Sequence, residues 1–215
     1  MPFKKAIFII IISFNFILLN GCSIYERKIF DVPSVRHYQE KTNGQNVYIR
    51  TVRDNRLFTE NQEQINLPTF KVKPTDSDNT KQRVIGTFRN SGLNVTRDYL
   101  LEEGKTIEVL MYHLLKQAFS DNGYHVINQE QQDDKTINID IDINKFWFWI
   151  EASALSRRIS MDILTDIHVQ KNMKKFTKVI NIHQSNLYIS DNKKDLRVIR
   201  KALYRFIKDI KKQFK

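Results

Sequence analysis

The 215-residue chain contains one cysteine, six glycines and four prolines. The single thiol is Cys22, close to the start of the chain, so no disulfide can stabilise the residues that follow it. The same scarcity excludes thiol catalysis and cysteine-based zinc sites in those residues. The glycines do not cluster into a loop that could cradle a phosphate group. The chain after Cys22 must therefore obtain its stability from side-chain packing.

An apolar run long enough to cross a membrane is also lacking. The apolar residues 6–19 follow Lys4 and Lys5, and this run is shorter than the ~20 residues that a membrane-spanning helix needs. Gly21 then precedes Cys22. A positive start, a short apolar run and a small residue before a cleavage site are typical of a secretory signal peptide.

The residues from Leu19 to Cys22 resemble the bacterial lipoprotein signal, which places an aliphatic residue three positions before a cysteine and a small residue directly before it. The resemblance implies that the leader is removed and that Cys22 carries acyl chains such as palmitate. Each buried methylene contributes about 0.8 kcal/mol, so two or more chains anchor a protein durably. Ser23, where an aspartate would signal retention, implies the outer membrane on its periplasmic side. We therefore expect a lipid-anchored protein of the cell envelope.

The composition along the chain predicts three parts. Residues 1–21 are the leader, and residues 22–45 hold scattered charge without periodicity, which favours a tether between the lipid and the domain. Residues 46–215 are expected to form a single periplasmic domain, with a long polar loop at 57–82.

The charge balance predicts an anionic partner. The formal net charge is +11 and the pI is about 9.6. Such a balance often indicates nucleic acid, but an exported protein does not meet it. Anionic lipid head groups, lipopolysaccharide phosphates or an acidic protein surface are the remaining candidates, and a merely solubilising surface is the alternative.

Hydrophobic periodicity predicts the fold class. Residues 105–122 and 196–210 repeat apolar side chains at spacings of three and four, as amphipathic helices do. Residues 137–143, 159–169 and 176–189 read as long strands, the first two with clear alternation of apolar and polar side chains. Three long consecutive strands favour an antiparallel meander. We predict an α+β fold, with a mostly antiparallel sheet and both amphipathic helices packed on one face.

Two features predict a contact surface. Four consecutive aromatic residues, Phe146, Trp147, Phe148 and Trp149, end one strand, so both faces of the sheet receive large rings. They indicate either a hydrophobic patch for a partner or the membrane, or packing of one pair in the core and the other under a helix or loop. The last helix carries many cations, among them the candidate contacts Arg205, Lys208, Lys211 and Lys212. These indicate docking on an anionic surface or an ordinary solvated helix face.

The sequence offers no catalytic or metal motif. The histidines are dispersed, and neither HExxH nor GxSxG occurs. Asp140, Asp142, Asn144 and Glu151 match part of a calcium-loop spacing, but Lys145 occupies the position that needs glycine. We therefore predict a protein that is not an enzyme and uses no cofactor or metal.

The chain resembles small periplasmic lipoproteins of the YajG-like type. The similarity lies in Val52-Arg53-Asp54-Asn55-Arg56 after the first strand of the domain, and in Phe119 to Tyr124 at the end of a helix, followed by Val126 and long alternating strands. The resemblance implies a lipid-anchored α+β domain without known catalytic residues. The leading hypothesis is a non-enzymatic lipoprotein that binds a protein or lipid partner at the periplasmic membrane surface. The alternative is an auxiliary subunit of a lipid or lipopolysaccharide transport machine.

Overall fold

The computed structural model describes residues 25–34, 42–59, 64–70, 73, 76–77, 79–92, 94–130, 136–171, 174–189 and 195–215. Within them the strands are β1 (Glu26–Ile29), β2 (Asn46–Asp54), β3 (Val84–Arg89), β4 (Val95–Leu100), β5 (His125–Ile127), β6 (Thr136–Ala152), β7 (Arg157–Lys171) and β8 (Lys174–Tyr188). The helices are α1 (Thr80–Arg83), α2 (Ile107–Asp121) and α3 (Asp195–Gln213). The leader and Cys22 lie outside the described residues, so the lipid site stays a prediction.

The eight strands form one mixed sheet organised around β6. One edge of β6 pairs with β7 along almost its whole length, and β7 pairs with β8, both antiparallel. The other edge of β6 is shared, since its first half pairs with β2 and its second half with β3, both parallel. The outer pairs β1–β4 and β2–β5 are also parallel, and β3–β4 is antiparallel.

The predicted α+β class is therefore confirmed, and the sheet is mostly but not purely antiparallel. The long β6–β7–β8 meander supplies most of the antiparallel pairing, as the alternation of apolar residues predicts. The parallel pairs arise because β2 and β6 are separated by α2, and a crossover of that length lets the chain return in the same direction. Short strands carry little periodicity, so β1 and β4 were not predicted.

A bulge in β6 changes which residues face the main core. Ile137, Ile139, Ile141 and Ile143 are all buried in it, but the register shifts between Ile143 and Lys145. Beyond the bulge the even-numbered residues Phe146, Phe148 and Ile150 take that face. The extra residue of a bulge reverses the side-chain phase of a strand, so one long strand serves two packing patterns.

The two long helices contribute to the same main core. α2 contacts β2, α3 contacts β7 and β8, and the two helices contact each other. Thr106 caps α2 by accepting a hydrogen bond from the backbone N–H of Val109, and Gly123, at a φ of 84°, follows its end. At the same end of α2 the side-chain amide of Asn122 donates to the Lys211 carbonyl of α3 at 3.2 Å. Phe119 and Phe214 complete this junction with their ring centroids 4.9 Å apart.

The beginning of the described chain differs from the prediction of a tether over residues 22–45. Glu26–Ile29 form the edge strand β1, paired in parallel with β4. The Tyr25 hydroxyl donates to Asp98, and the Phe30 ring lies 4.9 Å from that of Phe148. A strand of four residues gives too few alternations to be recognised in a sequence. The chain is thus fixed to the sheet from Tyr25 to Ile29, and only Ser23 and Ile24 separate Tyr25 from Cys22.

Arg56 fills the junction where β2 ends and β3 begins along β6. Its side chain is 0% exposed and donates two hydrogen bonds to the Asp54 carboxylate, at 2.7 and 2.8 Å. It also donates to the carbonyls of Val84 at 2.7 Å and Phe146 at 3.3 Å. These carbonyls belong to β3 and β6 and lie in the gap between the end of the β2–β6 ladder and the start of the β3–β6 ladder. One guanidinium therefore joins three strands.

We predict that Arg56→Ala lowers the free energy of unfolding by about 3–5 kcal/mol, because it leaves the nearly buried Asp54 carboxylate without its cation. Arg53→Ala is the matched control, since the Arg53 side chain is 49% exposed in its pair with Asp142. The control should cost less than about 1 kcal/mol. Urea unfolding of both variants measures the difference, and equal losses would contradict the role assigned to Arg56.

Candidate functional site

The exposed face of α3 is strongly cationic. Its apolar residues recur at helical spacing and are buried against β7 and β8, which leaves the opposite face in solvent. Asp209 is the one acidic residue between Leu196 and Lys215. The exposed cations of this segment, here called the basic face, are Arg197, Arg200, Lys201, Arg205, Lys208, Lys212 and Lys215.

The predicted contact residues of α3 differ in their exposure and in their contacts. Lys208 and Lys212 are exposed, whereas Lys211 is partly buried. Arg205 is exposed but also donates to the His183 carbonyl of β8 at 3.5 Å. Tyr204 stands among these cations with 54% of its surface exposed. The free charges best placed to meet a partner are therefore those of Lys208 and Lys212.

The direction of α3 follows from two contacts with the outer edge of β8. Arg205 reaches the carbonyl of His183, and the Gln213 amide donates to the carbonyl of Val179 at 3.1 Å. The helix thus runs antiparallel to β8. Its beginning lies beside the end of β8, and its last turns lie beside the first half of that strand.

The aromatic strand end is not an exposed patch, which corrects one of the two surfaces predicted from the sequence. Phe146, Trp147, Phe148 and Trp149 are 1%, 0%, 0% and 5% exposed. Phe146 and Phe148 fill the main core. Trp147 and Trp149 form a second core with Val84 and Leu100 on the other face of the sheet.

The second core is covered by the segment that the sequence predicted as a polar loop. Phe58, Ile65 and Phe70 pack against it, and the Phe58 ring meets Trp147 edge to face at 6.1 Å. Phe58, Ile65 and Phe70 are apolar residues within a mostly polar stretch. This contrast is the sequence signal from which their burial could have been predicted. Packing under a loop was the alternative interpretation of the aromatic run. The structure shows this packing for Trp147 and Trp149.

The remaining outer face of the sheet carries a cross-strand polar network. Arg50 pairs with Asp140, whose carboxylate also accepts from the Thr51 hydroxyl at 2.7 Å. Arg53 donates to Asp142 at 2.7 Å. Hydrogen bonding to Arg50 lowers the pKa of Asp140 to about 2, and hydrogen bonding to Arg53 lowers the pKa of Asp142.

The four residues with partial calcium-loop spacing are engaged separately. Asp140 and Asp142 pair with arginines, Asn144 donates to Asp166 at 2.8 Å, and Glu151 accepts from the Trp149 indole at 3.3 Å. They do not converge on one point. Among the residues that the structure describes, no group of three or more His, Cys, Asp or Glu side chains could hold a metal ion.

One row of this network has the residue types of a proton relay. His168 donates from Nε2 to Asp142 at 2.9 Å, and its Nδ1 lies 2.9 Å from the Thr177 hydroxyl. The row crosses β6, β7 and β8 on an open sheet face. His168 thus joins side chains of three neighbouring strands across the sheet.

We predict that Asp140→Asn lowers the free energy of unfolding at pH 7 by about 1–2 kcal/mol, since folding lowers this carboxyl's pKa from 3.8 to about 2. A carboxyl with a lowered folded pKa stabilises above its unfolded pKa. The contribution is therefore complete above about pH 5 and fades as the pH falls through the folded pKa of about 2.

Urea unfolding at pH 7 and pH 3 measures this dependence, and the deficit of the variant should shrink by about half at pH 3. Arg50→Gln removes the partner and should show the same pattern. A deficit of equal size at both pH values would contradict the assignment of the shift to this pair.

None of the described helices is both long and apolar enough to span a bilayer.

The solved structures that resemble this chain share little of its sequence. No curated protein matches it. One similar solved structure is an uncharacterized protein, with 8% identity, a TM-score of 0.44 and coverage of 89% of this chain and 99% of that one. A Xanthomonas campestris protein has 10% identity and a TM-score of 0.39, over 89% of this chain and 93% of its own. A candidate lipoprotein from Caulobacter crescentus CB15 has 14% identity and a TM-score of 0.28, over 47% and 80%.

The family comparison covers most of the domain. A family described as uncharacterized lipoprotein matches residues 61–212, which is more than half of the chain. The match extends from the segment over the second core to the last turns of α3. It confirms the resemblance that the sequence pattern indicated and associates the protein with the cell envelope. The chain belongs to this YajG-like family of uncharacterized lipoproteins.

Proposed function

We propose that the protein is a non-enzymatic lipoprotein, anchored through acyl chains on Cys22 in the outer membrane, that binds an acidic protein in the periplasm. The binding surface is the second half of the basic face, around Lys208 and Lys212. The observation that supports this most is the segregation of charge on α3. Six cations of α3, and Lys215 just after it, are exposed on the side opposite the buried apolar face, and Asp209 is the one acidic residue between Leu196 and Lys215.

The position of Lys208 and Lys212 favours a protein over lipid head groups. Acyl chains on Cys22 would hold the Tyr25 end of β1 near the membrane. Arg197 lies beside the end of β8 that the sheet register places at the Tyr25 end, and Lys212 lies about 22 Å further along the helix axis. Charges more than about 8 Å apart are largely screened at physiological salt. Head groups at the Tyr25 end would therefore attract Lys212 only weakly.

Binding is favoured over catalysis because the polar side chains of the outer sheet face are paired with each other. Asp142, for example, is engaged by both Arg53 and His168. A catalytic site needs groups directed toward a substrate, whereas these side chains are directed toward one another.

The proposal predicts a specific crosslink. A photoreactive phenylalanine analogue at Tyr204, in the centre of the basic face, should capture one discrete protein in intact cells. Lys208→Glu with Lys212→Glu should weaken the adduct about tenfold, because reversing two interface charges opposes association. Immunoblotting of the crosslinked envelope fraction measures the adduct.

Lys105→Glu with Lys116→Glu is the matched control, since both lysines are exposed and neither belongs to α3. The control should leave the adduct intact. No adduct, or an adduct that the α3 variant leaves unchanged, would contradict binding through the basic face. A captured component of a lipid or lipopolysaccharide transport machine would assign the alternative function predicted from the sequence.

A further inference from the structure

One end of the sheet gathers the start of β1 and several loops. Residues paired between neighbouring strands form a row across the sheet. Glu26 pairs with Arg97, Arg97 with Phe88, and Phe88 with Ile150. Ile150 then pairs with Ile159, and Ile159 pairs with Asn186 of β8. This row of paired residues crosses six strands. Everything just beyond it lies at the same end of the domain, here called the anchor end.

The anchor end includes Tyr25, the β6–β7 loop at 153–156 and the chain at 187–189. The start of α3 also lies there, because the helix runs antiparallel to β8 from this point. With strands about 4.8 Å apart, the end extends about 24 Å from β1 to β8.

Exposed aliphatic side chains concentrate at the anchor end. The structure describes ten exposed large hydrophobic residues, and four of them lie here. They are Leu155 at 82%, Ile189 at 81%, Leu187 at 60% and Leu196 at 39% exposure. Single exposed leucines are ordinary, but a group on one end of a domain indicates a surface that is covered in use.

Leu155 is held outward by the structure of its loop. The backbone N–H of Ser153 donates to the Ser156 carbonyl at 2.8 Å, which closes a tight β6–β7 turn. The hydroxyl of Ser153 also accepts from the backbone N–H of Ser156 at 3.1 Å. These bonds leave Leu155 at the tip of a hairpin with its side chain in solvent.

Cations accompany these aliphatic residues. Arg158 and Arg197 are exposed, and the Arg157 guanidinium lies over the Phe88 ring at 5.6 Å. Two acidic side chains that the structure describes at this end are engaged, since Glu26 pairs with Arg97 and Glu151 accepts from Trp149. Apolar tips with neighbouring arginines fit the interface of an anionic bilayer, where the tips enter the acyl region and the cations meet phosphates.

The chain length before Tyr25 brings the lipid to the same place. A fully extended chain spans at most ~3.6 Å per residue, so Cys22 lies within about 11 Å of Tyr25. Tyr25 is itself held by its hydrogen bond to Asp98 of β4 and by Lys73 over its ring at 5.1 Å. Acyl chains on Cys22 cannot reach the membrane without bringing the anchor end close to it.

We propose that the anchor end is a membrane-docking surface, whose aliphatic residues insert into the leaflet that holds the Cys22 lipid. The inference rests on the lipid anchor of the proposed function and adds an orientation to it. In that orientation α3 leads away from the bilayer, and Lys208 and Lys212 face the periplasm.

Site-specific fluorescence tests the orientation in the full-length acylated protein. In the acylated protein the lipid occupies the sulfur of Cys22, which is the one cysteine of the natural chain. A cysteine introduced by Leu155→Cys or Ile189→Cys is then the one free thiol for an environment-sensitive dye. The protein is reconstituted into liposomes that contain phosphatidylglycerol and lipids with a nitroxide on the acyl chain. Leu57→Cys is the matched control, since Leu57 is 85% exposed and follows Arg56, which lies at the start of β3, away from the anchor end.

The dye at 155 and at 189 should be quenched at least threefold more than the dye at 57. Equal quenching at all three positions, in protein that incorporates labelled palmitate, would overturn the docking surface and leave the anchor standing. Protein that incorporates no palmitate would overturn the anchor and this inference with it. The crosslink from Tyr204 depends on neither result, so failure of partner binding is recognised separately.

Discussion

The pairing of Arg56 with Asp54 is the interaction on which the rest of the sheet depends. β2 and β3 pair with the same edge of β6, one after the other, and a gap in the ladder is unavoidable where one ends and the next begins. Backbone carbonyls at such a gap lose their partners, and burying them unpaired costs free energy. Arg56 supplies the missing donors, and Asp54 balances its charge. A guanidinium suits this task because its donors are fixed in a planar fork.

The same junction explains how one strand can face two cores. The bulge after Ile143 lies close to the carbonyl of Phe146 that Arg56 contacts. Before the bulge, β6 has an apolar face in the main core and a polar face that carries the cross-strand network. After it, both faces are apolar, with Phe148 on one side and Trp147 on the other. The polar network and the second core are thus successive parts of one sheet surface.

Much of this architecture could be predicted from the sequence, and the parts that could not have definable causes. The long elements were recognised because α2, α3 and the strands of the meander repeat their patterns over many residues. The parallel partners of β6 could not be predicted, since pairing depends on residues far apart in the chain. Aromatic residues on both faces of a strand indicated either burial or a binding patch. In the structure Phe58, Ile65 and Phe70 pack over Trp147 and Trp149, and this contact shows that the tryptophans are buried.

We propose that the lipid anchor at Cys22 lies at one end of the sheet and that Lys208 and Lys212 lie toward the other. In that arrangement the anchor end rests on the membrane, and α3 leads from it toward the periplasm. Intact-mass analysis of the detergent-extracted protein beside Cys22→Ala tests this account most directly. The account predicts that the wild type lacks residues 1–21 and gains the mass of acyl chains, and that the variant shows neither change. A wild-type protein with an intact, unmodified N-terminus would contradict it.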